Sequence, residues 1–492
     1  MRYLPNCARR LCRLGQYPDE RSENKGNEPE NVAYGEFGGE KLLFVNSERS
    51  SVVFVFDVED IEHPELKQIL PAGLAPEGAK AVPSRNLLIV ASEEDNRGDL
   101  ARSSLNIYLK DFKDSEVVFP FLVSDLRDDG TPIPFSALSA LATIKCDADD
   151  SSRRSSRQLS ERRRLKGTRS GKGKGKCNKD TFYTVEDSFY KSNRVLAIDI
   201  GEEPAVVFEE MRITDKDGVF AASLNANGLP TLVADLINPD VTVNVDPEGI
   251  DTSIIGGFWL VHEGAGTTGD AGRPFVSPNV LFKLDENANI ENVILPPSGV
   301  IQTQVRFGYE GVAEASDMGL VVVVFQRALQ GEPNPRLGVW SISGGWTYYY
   351  YPLDAPESQN GGWVGLSDIA YVGNGEFYIL ERDNQGGPDA AIKRIYSVTL
   401  DGPGTPYESA PGVVAAPETL TKVLVYDLLD DLKGITNGSV VEKVEGLTLD
   451  NKGNVWVNND NDGVVRVFVD SSFGRPAGTL SHTSCLTERQ QW

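Results

Sequence analysis

The stretch DPEGIDTSIIGGFWLVHEG, residues 246–264, reads as an acidic start, a Glu-Gly pair, a short apolar strand, a Gly-Gly turn, a second apolar strand and a closing acid. Apolar runs of this length around a glycine turn are the signature of a β-hairpin. The pattern recurs as APEGAKAVPSRNLLIVASEED from Ala75, GYEGVAEASDMGLVVVVFQ from Gly308, GLSDIAYVGNGEFYILERD from Gly365 and VEGLTLDNKGNVWVNNDND from Val444. Two degenerate copies begin at Glu28 (EPENVAYGEFGGEKLLFVNSE) and at Ser136 (SALSALATIKCD, resuming at Thr181 as TFYTVEDSF).

Further apolar stretches such as VLFKLDE, RLGVWSIS, KRIYSVTLD and VVRVFVD follow the hairpins. Three or four short strands per unit is how a propeller blade reads. No long stretch carries a 3.6-residue period, so α/β folds have little support. The expectation is an all-β fold: a single β-propeller of about seven blades, with six or eight as alternatives and a pair of β-sandwiches as the competing architecture. The expected layout is an N-terminal segment over 1–27, serving as an outer strand or an incomplete start, blades over 28–135 and 136–470, and a tail over 471–492.

Between the strands of the Ser136 copy lies SSRRSSRQLSERRRLKGTRSGKGKGK, residues 151–176, with eleven Lys or Arg and one acid. Too few apolar residues are present to offset ordering entropy, so the insert over 147–180 is expected to be disordered. A disulfide between Cys146 and Cys177 would close it off, but five cysteines without a CxxC pair leave the redox compartment open. A lone sequon at Asn437 is weak support for secretion.

The 492 residues carry a net charge of -24, which disfavours nucleic acid as a partner. The longest apolar run, Leu320 to Phe325, is far below the ~18 to 20 residues of a membrane span, so no transmembrane segment is expected. The start, MRYLPNCARRLCRLGQ, has no apolar core of ~7 to 15 residues and does not read as a secretory signal. Either the protein is intracellular or the start is incomplete.

In a hairpin the start of the first strand and the end of the second share an edge. Glu30, Glu77, Ser139, Glu248, Glu310, Asp368 and Glu445 are taken as equivalent leading positions, with Glu48, Glu93, Glu186, Glu263, Glu381 and Asp460 behind them. So many carboxylates at one mouth require raised pKa values or bound cations, and calcium suits oxygen donors. The expected metal ligands are Asp246, Glu248, Glu263, Glu310, Asp368, Glu381, Asp383, Glu445, Asp460 and Asp462, with Glu248, Glu310 and Asp368 as catalytic groups. Asn458, Asp460, Asp462 and Gly463 match half of a DxDxDG loop. Arg382, Lys393 and Arg394 are the candidate phosphate-binding cations. The bland alternative is that each Glu-Gly is a joint between blades, with glycine there for close approach. His63, His262 and His482 are scattered without HExxH, and no GxSxG occurs, which disfavours a zinc hydrolase and that type of serine hydrolase.

Together SALSALA, TFYTVEDSF, VDPEGID with GGFWLVHEG, FGYEGVA, GLSDIAYVGNGEFYILERDNQGG, IKRIYSVTL and VEGLTLDNKGNVWVNNDND resemble the phytase-like (esterase-like activity of phytase) family from about Ser136 to Asp462. The preceding stretch is similar to choice-of-anchor propeller repeats, and the combination resembles atypical calcium-dependent alkaline phosphatases. The resemblance implies an exported, monomeric, calcium-dependent phosphoric-ester hydrolase acting on a small phosphorylated substrate. Glu186 and Asp187 join the implied acidic set. Ser139-Ala140-Leu141 replaces the family's Ser-Gly-Leu, and Gln326 stands where an acid is usual. The alternatives from the residues themselves are a calcium-dependent lactonase or esterase and a non-catalytic, calcium-stabilised surface propeller.

Overall fold

The computed structural model describes residues 11–15, 17, 21, 24–95, 103–110, 122–145, 180–202, 204–402, 404–410, 413–435 and 440–460. The basic insert but for its last residue, every cysteine but Cys12, the Asn437 sequon, His482, Asp462 and the tail lie outside the described residues.

Each copy of the repeat leads a sheet of its own. The first sheet is β1 (Pro29–Phe37), β2 (Glu40–Ser47), β3 (Val52–Asp57) and β4 (Glu65–Pro71), and the second is β5 (Pro76–Val82), β6 (Leu87–Ser92) and β7 (Ser104–Leu109). The third comprises β8 (Leu122–Ser124), β9 (Ala142–Thr143), β10 (Thr181–Val185), β11 (Arg194–Asp199) and β12 (Ala205–Arg212), in the order β8-β12-β11-β10-β9 with β8 parallel to β12. The fourth is β13 (Pro247–Thr252), β14 (Phe258–His262), β15 (Val280–Leu284) and β16 (Ile290–Ile294). The fifth is β17 (Tyr309–Ala315), β18 (Leu320–Phe325), β19 (Arg336–Ser341) and β20 (Gly345–Tyr350). The sixth takes β21 (Val364–Gly373), β22 (Glu376–Asp383), β23 (Lys393–Thr399) and, beyond the small hairpin β24 (Glu408–Ala410) and β25 (Val413–Val414), β26 (Lys422–Asp427). The seventh is the pair β27 (Val444–Leu449) and β28 (Val455–Asn459). The protein is thus mostly β, built on antiparallel sheets of the four-stranded kind.

Apolar cores lie between successive sheets, because strands apolar on both faces can bury them only by stacking. Leu260 and Phe282 meet Tyr183 and Val195 between the third and fourth sheets, and Val261 meets Val312 and Val323 between the fourth and fifth. Val324 and Leu337 meet Ile369 and Ile379 next, then Leu380 and Ile395 meet Leu447 and Val457. Phe182 closes on Trp456 of β28 with ring centroids 5.3 Å apart, and Thr143 Oγ1 donates to Leu449 O at 2.9 Å. The leading strands follow the same order: β9 packs against β13, β13 on β17, β17 on β21, β21 on β27, and β27 back on β9.

Among the described residues, β27 turns to β9 of the third sheet, and the first two sheets share a separate core of Phe37, Phe44, Val53, Leu88 and Val90. Among the described residues, the outer face of β1 leaves Val32 57% and Tyr34 55% exposed.

Candidate active site: a carboxylate mouth facing an arginine

One structural device recurs at every hairpin. The register slips by one residue at the start of the leading strand, between Pro29 and Asn31, Pro76 and Gly78, Pro247 and Gly249, Tyr309 and Gly311, Leu366 and Asp368, and Val444 and Gly446. The skipped residue is a β-bulge, which re-aims a side chain at the sheet's edge. The bulge residues are therefore Glu30, Glu77, Glu248, Glu310, Ser367 and Glu445. Ser139 takes this place in the third sheet, where the pairing slips between Ala142↔Tyr183 and Leu138↔Glu186.

A second mark gives the facing position. The N–H just past the second strand bonds the carbonyl two residues before the bulge: Glu48 to Glu28, Glu93 to Ala75, Asp187 to Ala137, Glu263 to Asp246, Gln326 to Gly308 and Asp460 to Lys443. In the sixth sheet Gly365 pairs Arg382. The facing positions are thus Glu48, Glu93, Asp187, Glu263, Gln326, Arg382 and Asp460, so Asp187 and Arg382 occupy places that the sequence reading assigned to Glu186 and Glu381.

Glycine after the bulge is there for close approach. A Cβ on Gly249 would lie 2.7 Å from Gly311 Cα, one on Gly311 2.8 Å from Asp368 Cα, and one on Gly446 2.9 Å from the Ala140 carbonyl carbon. In the sixth sheet this post-bulge place falls to Asp368. Its carboxylate accepts from Ile369 N at 2.8 Å and Leu447 N at 2.7 Å, which ties β21 to β27. Asp368 is a joint between sheets and not a mouth residue.

Asp246, Glu248 and Glu263 each offer an oxygen within 4.8 Å of the others. Burial pushes the Glu248 carboxyl well up, and Glu310, Asp246, Glu445 and Glu263 add repulsion. Burial likewise raises Glu310, next to Glu263 and Glu445 and only partly relieved by Arg382 and Lys443. Glu263 is pushed up to about 8 by burial and Asp246, against N–H donors from Phe307 and Gly308. Asp187 rises to about 9 through burial and the neighbouring Asp460 and Asp246. Crowded, desolvated carboxylates of this kind fit a hard cation with oxygen ligands. His262 accepts from Asp246 N at 2.9 Å and its other nitrogen lies 3.2 Å from Ser277 Oγ, so it positions Asp246.

The buried Arg382 donates to Glu445 at 2.5 Å and to Ser367 Oγ at 2.9 Å, and its charge acts on Glu310. Glu445 Oε2, Ser139 Oγ and Gln326 Oε1 are buried without a hydrogen-bond partner among the described residues. Lys443 bonds Asp460 at 2.9 Å.

The remaining sequence-predicted residues are committed elsewhere. Glu381 accepts from Lys422 at 2.7 Å and from Asp354 N at 2.7 Å. Asp383 holds the buried Lys393 at 2.8 Å and two backbone amides. Arg394 is divided among Asp354, Glu357 and Asp427. Glu186 is locked to Arg194 at 2.6 Å. Of the three expected phosphate-binding cations, only Arg382 reaches the mouth.

With the geometry in hand, the comparisons bear on it. A family model described as esterase-like activity of phytase matches residues 167–463. The chain belongs to the phytase-like family. A choice-of-anchor I domain matches residues 13–61, which take in β1 to β3 of the first sheet. No curated protein matches the chain. Among solved structures, a GH43 endo-arabinanase from Bacillus licheniformis is 14% identical with a TM-score of 0.32, covering 60% of this chain and 89% of that one. Hydrazine synthase of Kuenenia stuttgartiensis is 13% identical with a TM-score of 0.27, covering 90% and 97%. Saccharomyces cerevisiae Sqt1 is 8% identical with a TM-score of 0.26, covering 88% and 82%. At these scores none of the three bears on the chemistry of this phytase-like chain.

Proposed function

We propose that this phytase-like chain is a calcium-dependent phosphoric-ester hydrolase whose reaction takes place at the carboxylate mouth of a β-propeller. The third to seventh sheets are read as five blades around that mouth, with the first two sheets as a smaller unit beside them. This revises the expected count of seven, and the packing of β27 on β9 supports it. The observation that carries the functional reading is the convergence of Asp246, Glu248 and Glu263, together with the buried Arg382 that bonds Glu445 and Ser367 and acts on Glu310.

Asp246, Glu248 and Glu263 would hold the cation, and Asp187 and Asp460 close the acidic side. A bound divalent cation neutralises phosphoryl charge and acidifies water. Arg382 presents its remaining N–H groups to a phosphoryl oxygen, a match that a planar guanidinium makes in two bonds at once. Glu310, whose carboxyl burial holds above the ordinary carboxylate range, is the group assigned to hand a proton to the leaving oxygen. Glu445 holds Arg382 in place through its one bonded oxygen. By its family and its choice-of-anchor segment, the protein is read as exported; among the described residues no helix is long and apolar enough to cross a membrane.

The test is hydrolysis of p-nitrophenyl phosphate and phytate with calcium, with chelator, and by Glu248→Gln and Arg382→Lys variants. Calcium-dependent turnover that both variants lose while still folded is the expected result. Turnover of p-nitrophenyl acetate or a lactone, with none of the phosphates, would replace this reading by a carboxylester hydrolase in the same mouth. Tight calcium binding with no turnover at all would leave a structural propeller.

A further inference from the structure

Between β12 and β13 the chain leaves the sheets for two short helices, α1 (Val219–Ala226) and α2 (Val233–Leu236), joined through a 3-10 turn at Pro230–Leu232. Phe220, Leu224, Leu232 and Leu236 are buried with Phe282 and Ile290 of the fourth sheet. The inner side of the excursion is therefore an extension of the core. Helix α1 packs on β16, at the opposite edge of the fourth sheet from β13, the strand that carries Glu248 to the mouth.

The outer side is open. A groove of about 590 Å³ is lined there by Ala221, Pro230, Val233, Ile237 and Val241 as its main apolar residues. That volume is within the roughly 300 to 1,000 Å³ of small-molecule sites, which are mostly apolar with a few polar groups to orient the ligand. Two ionic residues line the groove, and one of them is already committed. Asp215 is buried and accepts from Phe220 N at 2.8 Å and Ala221 N at 3.0 Å in the first turn of α1. Lys216 is exposed, and among the described residues its side chain has no carboxylate partner and no hydrogen bond.

Val241 marks the apolar wall a second time. Asn238-Pro239-Asp240-Val241 closes a hairpin in which Ile237 faces Val243, with Val241 N donating to Asn238 O at 2.9 Å and Asn238 N to Thr242 O at 2.8 Å. A tight turn continued by one left-handed residue ordinarily takes glycine at that last place. Val241 stands there with φ 63°, the one β-branched side chain at positive φ among the described residues, in a backbone that crowds its Cβ. Core packing does not account for it, since the side chain is 42% exposed. Instead it lines the groove, and its carbonyl accepts from Asp215 N at 2.8 Å, which ties the turn to the stretch carrying Lys216.

We propose that this groove is a binding site, separate from the mouth, for an aliphatic carboxylate whose chain lies along Val233, Ile237 and Val241 and whose head group meets Lys216. Each methylene taken out of water by the apolar wall adds to affinity. An anionic head group is favoured because Lys216 is the groove charge that no residue has neutralised. The inference is independent of the hydrolase reading, as none of the mouth acids lines the groove.

The test is calorimetric titration of the full chain in calcium with octanoate, octanol and acetate, repeated on Lys216→Met, Ala234→Trp and Val241→Gly. Ala234 lines the groove and is exposed, so a tryptophan there fills the groove without entering the core. Wild type is expected to bind one octanoate, with octanol and acetate each about tenfold weaker or more. Lys216→Met is expected to bring octanoate down to the level of octanol, and Ala234→Trp to remove binding. Val241→Gly is expected to raise the urea midpoint, because the backbone strain is gone, while weakening octanoate about fivefold. No octanoate binding by wild type, binding that persists in a folded Ala234→Trp, or equal affinity for octanoate and octanol overturns the site. Should Ala234→Trp not fold, the surface variant Lys216→Met decides: octanoate affinity unchanged in it overturns the proposal. Octanoate held as tightly by Val241→Gly as by wild type overturns it likewise.

Discussion

Arg382→Met tests whether the arginine is what makes a mouth of buried carboxylates tolerable in the absence of a cation. The side chain is buried, bonded to Glu445 at 2.5 Å and Ser367 Oγ at 2.9 Å, and faces Glu310 and Glu442. Methionine replaces most of the volume but not the charge, leaving Glu445 with neither oxygen paired by Arg382. Removing one partner of a buried ion pair costs about 3 to 5 kcal/mol. A second route gives a similar figure: the cheapest relief is for the mouth to take up one proton. For a glutamate with an ordinary pKa near 4.3 that costs about 4 kcal/mol at pH 7 and about 1 kcal/mol at pH 5. The expectation is therefore a loss of about 4 kcal/mol at pH 7 that shrinks by roughly three quarters at pH 5. Urea unfolding in chelator at both pH values measures it, and Arg382→Met/Glu445→Gln, which removes both charges, regains most of the loss. A loss under about 1 kcal/mol at pH 7, or one equal at the two pH values, would refute the reasoning.

Other substitutions separate joint from mouth. Gly249→Ala puts a Cβ 2.7 Å from both Gly311 Cα and Val261 Cγ2 and 2.9 Å from Glu310 O, so denaturation is expected to show a loss of about 3 kcal/mol, backbone atoms being unable to yield as a side chain would. Asp368→Ala strands the Ile369 and Leu447 amides and is expected to cost about 2 to 3 kcal/mol of stability, while KM per folded molecule stays within twofold of wild type in a steady-state assay. Glu210 is pushed up by burial but held below its ordinary 4.5 by Arg127 and Arg194. Its stabilisation is present above pH 4.5 and is lost as pH falls through its lower folded value, so an acid titration of Glu210→Gln is expected to lose part of the wild-type slope between pH 4.5 and that lower value.

Much of the fold was legible because hairpins announce themselves locally. Copies of Glu-Gly, apolar strand and glycine turn marked each leading strand, and the glutamates of those pairs, Glu248, Glu310 and Glu445, stand close enough to act on one another. In the sixth sheet acid was matched to acid. The better match sets Gly365-Leu366-Ser367-Asp368-Ile369 against Gly308-Tyr309-Glu310-Gly311-Val312, apolar residue to apolar residue, which puts Ser367 at the bulge. The same one-residue offset makes Glu381 the counterpart of His262, and Arg382 that of Glu263. Lys393 and Arg394 misled because sequence shows a cation near an acid but not whether Asp383 or Glu357 has already taken it.

The strands, their turns, the acidic repeat and the family are all written in the chain itself, since each depends on residues within one hairpin's length. Which sheet follows the seventh is not, because the answer lies in packing between residues hundreds of positions apart, such as Phe182 on Trp456 and Asn458 Nδ2 on Leu138 O. Nor could the chain alone separate mouth acids from jointing acids. A bulge moves a side chain from one face to the other, and a charge is free or spent according to what stands beside it in space. Those are properties of the assembled sheets.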